Sequence, residues 1–227
     1  EDEESPRPWV RGFVVRELSR LASNYRSLED LSGYLARHGV LGVEGIDTRA
    51  LVRRTREVGA MKGMLSTADL DDASLVEKAR RSPGLVGRDL TRDVMPKAIA
   101  RWNLGFPSAD SLRATQIGSH SSGPARHVVA LDFGMKRNIP RFLVESGCEV
   151  TIVPGSTPPE AILEHQPDGL FVSNGPGDPS ALGSAVETLR TLIRSAASDR
   201  GVPIFGICLG HQLIGQALGA RTFKLKF

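Results

Sequence analysis

The chain has 227 residues, 40% of them hydrophobic and 24% charged, with a formal net charge of +3. That length allows one or two domains, and that balance is ordinary for a globular protein, not a disordered or fibrous one. No apolar run nears the ~20 residues of a membrane span, the acidic start Glu1-Asp-Glu-Glu4 is unlike a secretory signal, and two cysteines make no disulfide framework, so a cytoplasmic home away from membranes is expected.

Val10 to Leu18 reads as a strand. Ser27-Leu-Glu-Asp30 resembles a capping box, and Leu28, Leu31 and Leu35 follow at helical spacing up to a stop at Gly39. Asp47 or Thr48 can cap a second helix running through Val58 and closed by Gly59; Asp71 or Asp72 can open a third, ended by Pro83-Gly84. Arg49, Arg53, Arg54 and Arg56 read first as a solvated helix face, and no basic patch interleaved with aromatics points to nucleic acid. Strands and helices do not alternate regularly here, so residues 1–104 read as a small α+β domain. Residues 105–126, rich in Pro, Gly, Ser and Thr, read as a linker.

From residue 127 the texture changes. Strands are expected at 127–132, 149–153, 169–173, 202–207 and 221–227, with helices at 138–146, 158–165, 181–197 and 209–218 between them. This alternation predicts an α/β domain over residues 127–227: a parallel, doubly wound sheet with helices on both faces. In such sheets the site lies beyond the carboxyl ends of the strands.

Two of those ends carry chemistry. Cys208 sits where the run Val202–Ile207 meets the run Leu209–Leu218, flanked by Gly206 and Gly210. A lone cysteine in an apolar run is most often a small buried hydrophobe. Bracketing glycines at a strand-to-helix join favour instead a sharp elbow that exposes the thiol, and the helix N-terminus behind it favours a thiolate nucleophile. Gln212 lies one helical turn past Cys208, where its amide can face the same pocket or simply solvent. At the other end, Ser173 runs into Asn174-Gly175-Pro176-Gly177-Asp178-Pro179. By itself this is a plain turn; beside an exposed cysteine it becomes a rigid loop able to aim backbone N–H groups at an oxyanion. Cys148 reads as core. The loop lacks the Lys-Ser/Thr ending of a phosphate-binding loop, and no metal cluster is visible.

Gly206-Ile-Cys208-Leu-Gly-His-Gln212 resembles the nucleophile motif of class I (triad-type) glutamine amidotransferases. Ser173 to Pro179 is similar to the glycine-rich loop of one branch, the small subunit of carbamoyl-phosphate synthase. Ala130 to Asn138, Thr151-Ile-Val-Pro154, Leu21-Ala-Ser-Asn24, Gly45-Ile-Asp-Thr-Arg49, Pro83 to Gly87 and Lys224 to Phe227 also resemble that subunit. The elbow motif specifies the amidotransferase class; the first half specifies the branch.

The resemblance implies a class I amidotransferase-like fold and a glutaminase. Cys208 would attack L-glutamine, with Gly175, Gly177 and Leu209 supplying oxyanion donors and Gln212 binding substrate. Ammonia would pass to a carbamoyl-phosphate synthase large subunit, docked partly through residues 1–104, for arginine and pyrimidine biosynthesis. This chain would need no cofactor; ATP and a metal ion would belong to the large subunit. The family's catalytic histidine is not His211, and its His/Glu pair is expected beyond Phe227, so the 227-residue piece alone is expected to be nearly inactive. The rival readings are another amidotransferase subunit, a non-catalytic glutamine-binding or assembly module, and a different cysteine hydrolase on the same fold.

Overall fold

The computed structural model describes residues 3–25, 27–106, 124–198 and 201–225. Two compact units form: Glu1–Gly84 with Lys224–Phe227, and Leu85–Phe223.

In the first unit, strands β1 (Gly12–Val14) and β2 (Leu41–Val43) pair in parallel, Gly12 opposite Leu41. β1 is far shorter than the strand expected over Val10–Leu18, because its partner ends where Gly45 turns at φ +84°. Helix α1 (Leu31–Arg37) starts at Asp30, whose carboxylate accepts from the Gly33 N–H at 2.7 Å. The Ser27 capping box does not form: the Ser27 hydroxyl donates to the Glu29 carbonyl instead, and Asp30 stands closer to the orphan amides. Helices α2 (Thr48–Val58) and α3 (Asp72–Arg81) are capped by Asp47 and Asp71. Neither contains a buried residue.

The second unit begins well ahead of the sequence boundary at 104. Strand β3 (Ala100–Trp102) runs antiparallel to β5 (Cys148–Pro154), Ala100 opposite Ile152, so residues ahead of the expected linker belong to the second unit's sheet. Most of the expected linker, 107–123, lies outside the described residues. The other strands are β4 (Arg126–Asp132), β6 (Gly169–Val172) and β7 (Ile204–Gly206). Sheet order is β3-β5-β4-β6-β7, and all pairings but that of β3 are parallel.

The central strands are apolar on both faces because both faces are covered. Val129, Leu131, Val153 and Val172 pack with Leu189, Leu192, Leu209 and Leu213, which come from helices α6 (Gly183–Ser198) and α7 (Leu209–Ala217); Ile162 of the short α5 (Pro159–Leu163) joins them. On the opposite face Ala130, Val150, Ile152 and Phe171 meet Ile139, Leu143 and Val144 of α4 (Asn138–Glu145). The domain is thus α/β with a parallel-dominated sheet. The strand expected at Arg221–Phe227 is absent over 221–225, and residues 226–227 lie outside the described residues. Gly219 at φ +94° turns the chain out of α7, and Gln216 Nε2 donates to Thr222 Oγ1 at 2.6 Å, tying the tail to the helix end and away from the sheet. Among the described residues no helix is long and apolar enough to cross a membrane.

Candidate active site

Cys208 adopts φ +52° and ψ −110° between β7 and α7, and it is exposed. A non-glycine residue held at positive φ costs on the order of 1–3 kcal/mol and persists only where its surroundings over-determine it. Here they do. The Ile207 N–H donates to the Val172 carbonyl at 3.1 Å, the Gly210 N–H lies 3.1 Å from the Ser173 carbonyl, and the Gln212 N–H donates back to the Cys208 carbonyl at 3.0 Å. The glycines are steric requirements. A Cβ on Gly210 would stand 2.1 Å from the Val172 carbonyl oxygen, and one on Gly206 would stand 2.7 Å from the Gly210 carbonyl carbon. The elbow is therefore pressed against the end of β6. Leu209 and Leu213 are buried on the core side of α7, which leaves the thiol at the rim. The cysteine side chain makes no capping bond, and the first amides of a helix have no intrahelical acceptor.

The loop after β6 meets the elbow. A Cβ on Gly175 would lie 2.5 Å from the Phe133 carbonyl oxygen and 2.7 Å from Leu209 Cδ2, so only glycine lets the loop lie between the end of β4 and the residue next to Cys208. Gly177 sits at φ +99°, with the Arg88 carbonyl and Leu90 beside it. Cys208, Leu209, Gly175 and Gly177 thus gather at the carboxyl edge of the parallel strands. Gln212 is exposed in the first turn of α7.

Three features escaped the sequence reading. Ser173 is fully buried, accepts from the Phe133 N–H at 2.8 Å and donates to the Asn174 carbonyl at 2.7 Å. Asn174 Nδ2 donates to the Gly134 carbonyl at 3.1 Å, and its Oδ1 accepts from the Lys136 N–H at 3.3 Å. Asp132, at the end of β4, accepts from the Gly134 and Met135 N–H groups at 2.7 and 2.6 Å. Burial pushes the Asp132 carboxyl above its ordinary range, more than those two bonds pull it down. Asp132 was findable: it is the one charged residue in an apolar run, at a strand end where sites lie.

The histidines divide by edge. His127 is the second residue of β4, at the opposite end of the sheet, its ring held between the His165 carbonyl at 3.0 Å and Thr151 Oγ1 at 2.8 Å. His211 is an exposed residue of α7, and His120 lies outside the described residues. Cys148 is half-buried at that same far edge, packed with Val150 and Phe171, and burial pushes its thiol up. Among the described residues no group of three or more His, Cys, Asp or Glu side chains is placed to hold a metal ion.

Comparison with known proteins meets this geometry from both sides. Residues 129–227 match the family model described as glutamine amidotransferase class-I, and residues 1–65 match that of the carbamoyl-phosphate synthase small chain, CPSase domain. The chain is 52% identical over 221 residues to the carbamoyl phosphate synthase small chain of Rhodopirellula baltica, covering 96% of this chain and 55% of that protein. It is 48% identical over 227 residues to that of a Nostoc species, covering 100% of this chain and 57% of that one.

This chain belongs to the carbamoyl phosphate synthase small-chain family.

Similarity extends to the protein of that name from Salmonella typhi, 45% identical over 228 residues. The chain spans a little over half the length of these curated relatives. The elbow and the glycine loop fall within the amidotransferase match. The first unit carries the small-chain match. The segment 85–106, which enters the second unit, lies between the two matched regions.

Proposed function

We propose that this protein is the glutaminase subunit of a glutamine-hydrolysing carbamoyl-phosphate synthase. The observation that carries the reading is the exposed Cys208 at positive φ, with Gly175 packed against its neighbour Leu209. The Cys208 sulfur attacks the side-chain carboxamide carbon of L-glutamine. Negative charge collects on the amide oxygen, which accepts hydrogen bonds from the N–H groups of Leu209 and of the Gly175–Gly177 loop. Collapse expels ammonia and leaves a glutamyl thioester, and water then releases glutamate and restores the thiol. Gln212, one turn along α7, binds the substrate's polar end. His127 and His165 stand at the other edge of the sheet, away from Cys208, and neither serves as its proton carrier.

Ammonia passes to a large subunit, which holds the ATP and metal ion of the synthase and joins ammonia to bicarbonate and phosphate, for arginine and pyrimidine biosynthesis. This chain needs no cofactor of its own. Two free thiols, Cys148 and Cys208, suit a reducing cytoplasm.

The test compares the full-length protein with its Cys208→Ala variant, each in complex with the large subunit. Glutamine-dependent carbamoyl phosphate synthesis is lost in the variant, while synthesis from added ammonia persists. Glutamine hydrolysis that survives Cys208→Ala, or equal loss of both activities, overturns the reading.

A further inference from the structure

The Gly175–Gly177 loop carries no polar side chain with which to hold itself, yet oxyanion donors must be fixed before the charge develops. Its neighbours do the holding, and they do it from two sides. On one side Asn174 bridges to the β4–α4 connection, with Nδ2 on the Gly134 carbonyl at 3.1 Å and Oδ1 on the Lys136 N–H at 3.3 Å. That connection is itself pinned by Asp132 through the Gly134 and Met135 amides. On the other side Asp178 divides its carboxylate. Oδ1 accepts from the Ser180 N–H at 2.9 Å, starting the 3-10 turn Pro179–Ala181, and Oδ2 accepts from the Gly87 N–H at 3.1 Å.

Gly87 belongs to a segment that runs underneath. A Cβ on Gly177 would meet the Arg88 carbonyl oxygen at 3.3 Å and the Leu90 Cβ at 3.5 Å, so the loop rests on residues 88–90. Further along, Val94 packs against Gly134, where a Cβ would stand 2.7 Å from its Cγ2. Residues 87–94 therefore touch both the glycine loop and the connection that Asn174 grips. They lie outside the stretch that matches the amidotransferase model, which begins at residue 129.

We propose that Asn174 and Asp178 are positioning residues that clamp the Gly175–Gly177 backbone between the β4–α4 connection and the segment 87–94, making that segment a working part of the glutaminase site. This rests on the glutaminase reading above. Neither side chain has to touch glutamine. Each fixes the direction of backbone N–H groups that do, the role that supporting hydrogen bonds play around a preorganised site.

The experiment uses the full-length protein in complex with its large subunit and measures glutamine hydrolysis for wild type, Asn174→Ala, Asp178→Ala and Asp178→Asn. Removing one oxyanion donor outright costs ~10²–10³-fold in rate, so misaiming the loop lowers kcat by about 10–100-fold in each alanine variant, with KM changed less than about threefold. The asparagine at 178 retains an oxygen for the Gly87 N–H and recovers most of the loss. Alkylation of Cys208 by iodoacetamide keeps its wild-type rate in all four proteins, because the clamp acts on the loop and not on the elbow. Unchanged kcat in both alanine variants overturns the proposal. So does a loss that Asp178→Asn fails to recover, or one accompanied by slowed alkylation, since either marks general damage. Cys208→Ala run alongside separates the two claims: if it still hydrolyses glutamine, the glutaminase reading itself falls.

Discussion

The two units of this chain are held together by different physics. In the second, the strands β4, β5 and β6 are covered on both faces, and Val129, Val153, Val172, Leu189 and Leu213 are completely buried. In the first, Leu35 and Val40 are its buried hydrophobics among the described residues, and α2 and α3 bury nothing. What organises that unit is local: Asp30, Asp47 and Asp71 at helix starts, and Asp69, which bonds Ser74 and Lys78 five and nine residues further along. A strained elbow belongs in the second unit's kind of environment. Positive φ at Cys208 needs neighbours that cannot yield, and a close-packed sheet supplies them.

The sharpest way to test that contrast is to cut the second unit's core. Leu213→Ala empties a completely buried site beneath the elbow and lowers stability by about 2–5 kcal/mol in denaturant unfolding. A loss under about 1 kcal/mol would mean that the sheet does not anchor α7. Gly210→Ala comes next. Its Cβ would stand 2.1 Å from the Val172 carbonyl oxygen, and relief of that overlap costs about 1–3 kcal/mol. It moves Cys208 off its position, so cysteine alkylation and glutamine hydrolysis both change, and unaltered kinetics would break the elbow model.

In the first unit the expected effects are smaller. Asp47→Ala removes the carboxylate that accepts from the Ala50 N–H at 2.9 Å and lowers stability by about 1 kcal/mol. The reference is Val52→Ala on the same helix; Val52 is 57% exposed, so the change should stay within about 0.5 kcal/mol. If Val52→Ala costs more than Asp47→Ala, local capping is not what holds α2. The smallest effect concerns acid. Lys78, Ser74 and the Asp71 N–H hold the Asp69 carboxyl down at about 2, below its ordinary value of 3.8. A depressed carboxylate stabilises the fold above its unfolded value and loses that contribution as pH falls through the folded value. Asp69→Asn therefore lowers the unfolding midpoint slightly at neutral pH, and the difference closes between about pH 4 and pH 2. A gap that persists at pH 2 would assign the effect to packing instead.

Much of the second unit was readable in one dimension. Strand and helix periods at 126–217 match the observed elements within a residue or two at most ends, because each apolar run there is buried by its own regular period. Cys208 with Gly206 and Gly210 was legible for the same local reason: the turn needs small residues at fixed offsets. Caps at Asp47 or Thr48 and at Asp71 or Asp72 were legible because a cap acts within three residues of itself, and the structure selects Asp47 and Asp71. Ser27 was misread where a competing aspartate stood closer to the orphan amides. β3 and the boundary at Gly84 were invisible, because three residues such as Ala100–Trp102 form a strand only when β5 presents an open edge.

The sequence alone thus determined the exposed cysteine at its elbow, the glycine loop and the alternation that brings both to one edge of a sheet, since each depends on residues close together in the chain. Only the tertiary structure decided that Gly175 touches Leu209, that Asn174 and Asp178 grip backbone groups of Gly134, Lys136 and Gly87, and that residues 87–94 underlie the loop. Those contacts join segments tens of residues apart, and the bonds of Asn174 and Asp178 end on backbone atoms that every residue carries. No side-chain pattern announces them; they exist only once the sheet has folded.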